Sequence, residues 1–122
     1  MLEDEQCLAF LDTRPLFPGH CRLIPRRHVE PLPDLPPALL TPLFANAQLL
    51  SKAVPLALDA QGSFIAMNNK VSQSVPHLHV HVVPRNKKDG LKGFFWPRVG
   101  YRDEQHVQET AAAIRDAVER VR

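Results

Sequence analysis

The chain has 122 residues, a formal net charge of +2 and a hydrophobic fraction of 44%. That length suits one domain over residues 1–122, and a charge this close to balance gathers no nucleic acid by its global field. No apolar run approaches the ~18 residues of a membrane span. The opening Met1-Leu2-Glu3-Asp4-Glu5 is acidic and lacks the apolar stretch of a signal peptide, so the expected location is cytoplasmic.

Cys7-Leu8-Ala9-Phe10-Leu11 is a short apolar run that predicts a buried strand, ended by Asp12-Thr13-Arg14-Pro15. Pro18-Gly19 marks a turn, and His20-Cys21-Arg22-Leu23-Ile24 predicts a second strand stopped by Pro25. Cys7 and Cys21 are read as reduced, buried thiols, since two cysteines without a CxxC spacing build no zinc site by themselves. The twelve prolines are dispersed and punctuate short elements. From Pro36 or Pro37 to about Val54 the spacing of Leu39, Leu40, Leu43, Phe44, Ala47 and Leu50 predicts a helix with one apolar stripe, which Pro55 should end or kink. Ser63–Asn68 predicts a third strand. Asp103 is placed as the N-cap of a last helix through Val121, with Val107, Ala111, Ile114, Val118 and Val121 on one face. The order ββαβ(β)α with short connections predicts an α+β fold with a largely antiparallel sheet.

The chemistry concentrates in His77-Leu78-His79-Val80-His81-Val82-Val83, which holds three of the six histidines. Alternate side chains of a strand point to opposite faces, so the three imidazoles share one face, starting about 7 Å apart, and Leu78, Val80 and Val82 face the core. A helix would turn successive rings by ~200° and scatter them. Four uses of such a face compete. The rings could be satisfied core histidines, although each desolvated ring would then need its own partner. They could chelate zinc through His77, His79 and His81. One could be a nucleophile towards phosphorus while the others handle phosphate and leaving group. The face could also bind an anion without turnover. Upstream, Asn68-Asn69-Lys70-Val71-Ser72-Gln73-Ser74-Val75-Pro76 offers amides and hydroxyls and no carboxylate. A hydrolytic zinc site commonly adds a carboxylate, whereas amide and hydroxyl donors suit phosphate oxygens. Phosphorus chemistry without an active-site metal is therefore favoured.

The string Gln73-Ser74-Val75-Pro76-His77-Leu78-His79-Val80-His81-Val82-Val83-Pro84-Arg85 resembles the signature of the histidine-triad (HIT) family of nucleotide hydrolases and transferases. The likeness extends to Leu8-Ala9-Phe10-Leu11-Asp12, Pro18-Gly19-His20 and Leu23-Ile24-Pro25-Arg26-Arg27-His28-Val29, and spans about Glu3 to Arg98. It implies a five-stranded, mainly antiparallel sheet with two helices, and a homodimer that extends the sheet. It further implies hydrolysis at the α-phosphate of a nucleotidyl substrate, a nucleoside phosphoramidate or a dinucleoside polyphosphate. In this family the middle histidine is the nucleophile, here His79, giving a nucleotidyl-histidine intermediate. His77 would orient His79 through its backbone carbonyl, and His81 would contact phosphate and bridging atom. Ser74 would assist the leaving group, and Gln73 with Asn68 or Asn69 would contact phosphate. His28 matches a fourth histidine that supports the triad, Asp12 the acid that holds ribose hydroxyls, and Phe10 an apolar wall of the base pocket. No cofactor is implied; a divalent cation would arrive only with a polyphosphate substrate. The partner is an AMP- or GMP-type nucleotide, with no nucleic acid and no membrane.

From the residues alone, Asp12 is also a turn residue, His28 a solvated basic turn, His20 a structural side chain, His106 exposed, and Phe10 core. The family's usual Gly before the Gln is Ser72 here, the loop is about two residues short, and by the resemblance the covering N-terminal helix is absent, so an open base pocket is expected. Arg85, Lys87, Lys88 and Lys92 against Asp89 form a solvated loop or a steering patch for polyphosphate. Gly93-Phe94-Phe95-Trp96-Pro97 is expected to pack under the last helix, meet a second subunit or cover the base.

Overall fold

The computed structural model describes residues 1–91 and 98–122. Within them are two compact units, Met1–Asp89 and Gly90–Arg122. The aromatic cluster around Trp96, and Lys92 with it, lies outside the described residues.

The first unit carries a five-stranded antiparallel sheet. Its strands are β1 (Leu2–Glu3), β2 (Cys7–Leu11), β3 (Cys21–Pro25), β4 (Gly62–Ala66) and β5 (Val80–Arg85), in spatial order β1-β2-β3-β5-β4. Two 3-10 turns, Leu32–Asp34 and Pro37–Leu39, lead into the helix α1 (Leu40–Leu58). The second unit holds α2 (Glu104–Val121), where Asp103 accepts a hydrogen bond from the His106 N–H at 2.8 Å, as expected of an N-cap. On α2, Ile114, Val118 and Val121 are exposed.

Alternation decides which sheet face is core. Cys7, Ala9, Cys21, Leu23, Val80 and Val82 are buried beside Leu43, Ala47, Leu50 and Val54 of α1. Leu78, Val80 and Val82 are wholly buried, as the pattern requires. Cys7 and Cys21 are free and buried. Although β2 and β3 are adjacent, their register pairs Cys7 with Pro25 and Cys21 with Leu11, which sets the two thiols at opposite ends of the ladder.

Four expectations are corrected. The histidine strand begins at Val80, where the ladder with β3 stops at the pair Leu23–Val80, so residues 77–79 precede the strand. There the His77 N–H closes a turn on the Val75 carbonyl, and the Leu78 N–H donates to Val29. The strand also runs through Pro84, which has a neighbour only in β4, where a missing N–H is tolerated. Pro55 does not stop α1. It lies in the last turn, and its carbonyl accepts from Asp59 and Ala60, closing the helix end. Leu40 and Phe44 are exposed, and Asn46 occupies the buried face instead, donating to Asp4 and to the Pro42 carbonyl.

Candidate functional site on the histidine face

The opposite sheet face carries the polar groups. Directly paired residues of an antiparallel sheet share a face, and the registers pair Phe10 with Arg22, Arg22 with His81, and His81 with Ala66. Phe10, Arg22 and His81 thus stand side by side across three strands.

His79 and His81 meet edge to face with centroids 4.9 Å apart. His79 Nδ1 lies 2.7 Å from the His77 carbonyl. A carbonyl only accepts, so Nδ1 carries the proton and the Nε2 lone pair is available. The His77 ring turns elsewhere. Its Nε2 donates to the Pro25 carbonyl at 2.9 Å, which leaves Nδ1 as an acceptor facing His28 Nδ1 at 3.3 Å. His28 stacks on His77 and is largely exposed.

The ring that completes the site is His20, which sequence reading treats as structural. Gly19, at φ +100°, makes the turn before it, and a side chain there would run into Leu58. The Leu16 N–H donates to His20 Nδ1 at 3.1 Å, so the neutral ring carries its proton on Nε2. That proton is donated to His81 Nδ1 at 2.9 Å. His81 then holds its own proton on Nε2, as a donor. Only the pairing of β3 with β5 places these rings together; a histidine after Pro-Gly carries no local signal of it.

Asp12 lies at the end of β2 with its carboxylate 5% exposed. It accepts from Arg22 Nε at 2.8 Å and from the Arg14 N–H, and lies 3.7 Å from His20 Nε2. Burial pushes its carboxyl up, but the Arg14 N–H and the Arg22 guanidinium outweigh burial and hold it below the usual value. His20 is shifted down, chiefly by burial. His81 is pushed down to about 4, first by burial and then by the neighbouring His79, His20 and Arg22.

This shift has a sign for stability. The unfolded chain takes up the His81 proton near the ordinary value of 6.5, and the folded chain only near 4. Stability is therefore complete above about pH 6.5 and falls as pH drops towards 4, with the His20 shift acting in the same direction. Urea midpoints should decline between pH 6.5 and 5, and His81→Gln should flatten the decline. Midpoints independent of pH over that range would overturn the assignment.

Upstream, the loop adopts positive φ at Lys70 (69°) and Ser72 (60°), so Ser72 keeps the left-handed backbone that Gly would supply at less cost. Gln73 Oε1 accepts from the Lys70 N–H, and Nε2 donates to the Glu30 carbonyl. Asn69 Oδ1 accepts from the Leu32 N–H at 2.7 Å, whereas Asn68 makes no hydrogen bond among the described residues. Ser74 is exposed, and Phe10 is 39% exposed. Arg85 is ion-paired with Asp89 at 2.6 Å. Among the described residues, the one group spaced to hold a metal ion is Asp12, His20 and His81, not the three alternating histidines. Arg22 already occupies the Asp12 oxygen of that group, which disfavours a second cation there.

A family model for the HIT domain matches residues 1–88. A bis(5'-nucleosyl)-tetraphosphatase (asymmetrical) of Schizosaccharomyces pombe is 40% identical over 83 residues, 66% of this chain and 46% of that protein. An adenosine 5'-monophosphoramidase of Saccharomyces cerevisiae is 37% identical over 93 residues, 75% of this chain and 57% of that protein. The chain thus spans about half the length of these curated relatives. Among solved structures, a HIT-family member from Bacillus subtilis superposes with a TM-score of 0.84 at 29% identity, covering 95% of this chain and 84% of the other.

Proposed function

This chain belongs to the HIT family, and from that premise we propose that it is a nucleotide hydrolase working through a covalent intermediate on His79. The observation that carries the reading is the set of hydrogen-bond partners around the rings, from which the proton positions follow. The His77 carbonyl holds the His79 proton on Nδ1 and leaves Nε2 as nucleophile, while His20 leaves His81 with a donating Nε2–H. One ring offers a lone pair and its neighbour a proton, which is what displacement at phosphorus needs.

In the proposed reaction, His79 Nε2 forms an N–P bond to the α-phosphorus as the bond to the leaving group breaks. The His81 Nε2–H stabilises the charge developing on phosphate and bridging atom, and Ser74 hydrogen-bonds the departing group. Water then attacks phosphorus, the N–P bond breaks, and His79 regains its lone pair. The sum is one water consumed, with its hydroxyl on the nucleoside monophosphate and its proton on the leaving group. Asn68, with its amide unengaged, is the better placed of the two asparagines for phosphate. Gln73 keeps the loop closed with one amide N–H and has a second for phosphate. His28 supports His77. Asp12 meets the ribose and Phe10 the base.

The relatives are named for a tetraphosphatase and a phosphoramidase, so either an amine or a second nucleotide could be the leaving group. No cofactor takes part in this reading; a polyphosphate substrate would bring its own divalent cation. We further propose a homodimer extended through β4, which is an edge of the sheet, and a cytoplasmic location. No helix among the described residues is long and apolar enough to cross a membrane.

The test is AMP release from adenosine 5'-monophosphoramidate and from diadenosine tetraphosphate by purified protein. The phosphoramidate is run with chelator, the tetraphosphate with and without magnesium. Release from either substrate is expected, and the preferred one names the leaving group. AMP binding without release from either would overturn the hydrolase reading in favour of a binding role.

A further inference from the structure

Arg22 is a charged side chain of this face that the proposed reaction leaves without a task. It lies between Phe10 and His81, paired directly with each across the sheet. Strands are ~4.8 Å apart, so a nucleotide with phosphate at His81 and base on Phe10 must cross β3 above Arg22. Its Nε–H is committed to Asp12 at 2.8 Å, which anchors the guanidinium in one orientation. The side chain is 27% exposed, and among the described residues its two terminal amino groups make no hydrogen bond. An anchored fork with unused donors is a recognition element.

We infer that Arg22 selects the base, favouring 6-oxopurine nucleotides (guanine or hypoxanthine) over adenine. The inference rests on the reading of this face as a nucleotide site with Phe10 at the base. The chemistry follows from the edges that purines present. Guanine offers two adjacent acceptors, N7 and O6, which match two parallel N–H donors. Adenine offers N7 beside an N6 amino group, which is a donor and opposes a guanidinium that cannot accept. The Asp12 contact strengthens the preference because it removes rotamer freedom before the base arrives.

The experiment measures kcat/KM for guanosine and adenosine 5'-monophosphoramidates, and the affinities for GMP and AMP by calorimetry. Wild type, Arg22→Leu and Arg22→Lys are compared. A bidentate contact at a partly exposed site should favour guanosine by roughly 5- to 20-fold, the lower part of the range for such pairs. Arg22→Leu should bring the ratio to within about twofold. Arg22→Lys keeps the charge beside Asp12 without the fork and should lose most of the discrimination, which separates base reading from charge alone. Equal use of both nucleotides by the wild type, or one ratio in all three proteins, would overturn the inference. If no substrate turns over, the hydrolase reading fails by itself, and the GMP to AMP affinity ratio still decides the role of Arg22.

Discussion

Replacing His79 by Ala is expected to lower turnover by at least ~10⁴-fold, about 5.5 kcal/mol of transition-state stabilisation, while AMP still binds. The magnitude follows from what is lost. A covalent route divides one difficult displacement into two easier ones, and without Nε2 no other group on this face has the same geometry. His81 cannot substitute, because its Nδ1 accepts from His20 and its Nε2 is the donor of the pair. His79 is nearly buried, so a melting curve must accompany the assay to show that the variant folds. A second measurement stands apart from the variant. Wild-type protein quenched in alkali during turnover should carry a nucleotide adduct on the His79 peptide, since an N–P bond to imidazole survives base better than acid. Retained turnover in His79→Ala, or no adduct under steady turnover, would overturn the covalent mechanism.

The second large effect is expected at His20, which touches no substrate in this reading and acts as a positioning residue for His81. Removing it as His20→Ala leaves His81 Nδ1 without its donor, and the ring can then move its proton to Nδ1. The substrate would face a lone pair where it needs a donor. Turnover should fall by about 10²-fold or more, the range associated with proton donation in a transition state. A merely structural role would slow all substrates equally, so the diagnostic readout is the leaving group. The loss should be large for an amine, which must leave protonated, and small for a nitrophenolate, which leaves as a stable anion. His20→Gln, whose amide can still donate, should recover part of the loss. A uniform decrease across leaving groups would remove His20 from the proton arrangement.

Local sequence carried the elements well because period and capping are local. The alternation of His79, Val80, His81 and Val82 told which side of the strand is core, and the buried valines agree. Asp103 capped the last helix through contacts within one turn. The run of Leu2 and Glu3 that forms β1 was too short to show a period, and pairing with β2 alone makes it a strand. Pro55 does not end α1, because proline in the last turn removes only one helical hydrogen bond, a cost the closing contacts at Asp59 and Ala60 offset. Asn46 reads as an interruption of the apolar stripe until Asp4, 42 residues earlier, is seen to accept from it.

The sequence by itself determined the family and the α+β class, since both are written in short-range spacing and residue type. The tertiary structure decided how the residues of the histidine face are paired. It set His20 against His81 across 61 residues, locked Asp12 to Arg22, turned His77 towards Pro25 and His28, and engaged Asn69 while leaving Asn68 open. Register is the physical reason. A strand's alternation says which face a side chain takes, but its partner across the sheet depends on where the neighbouring strand starts, and that is settled by turns and core packing far away in the chain.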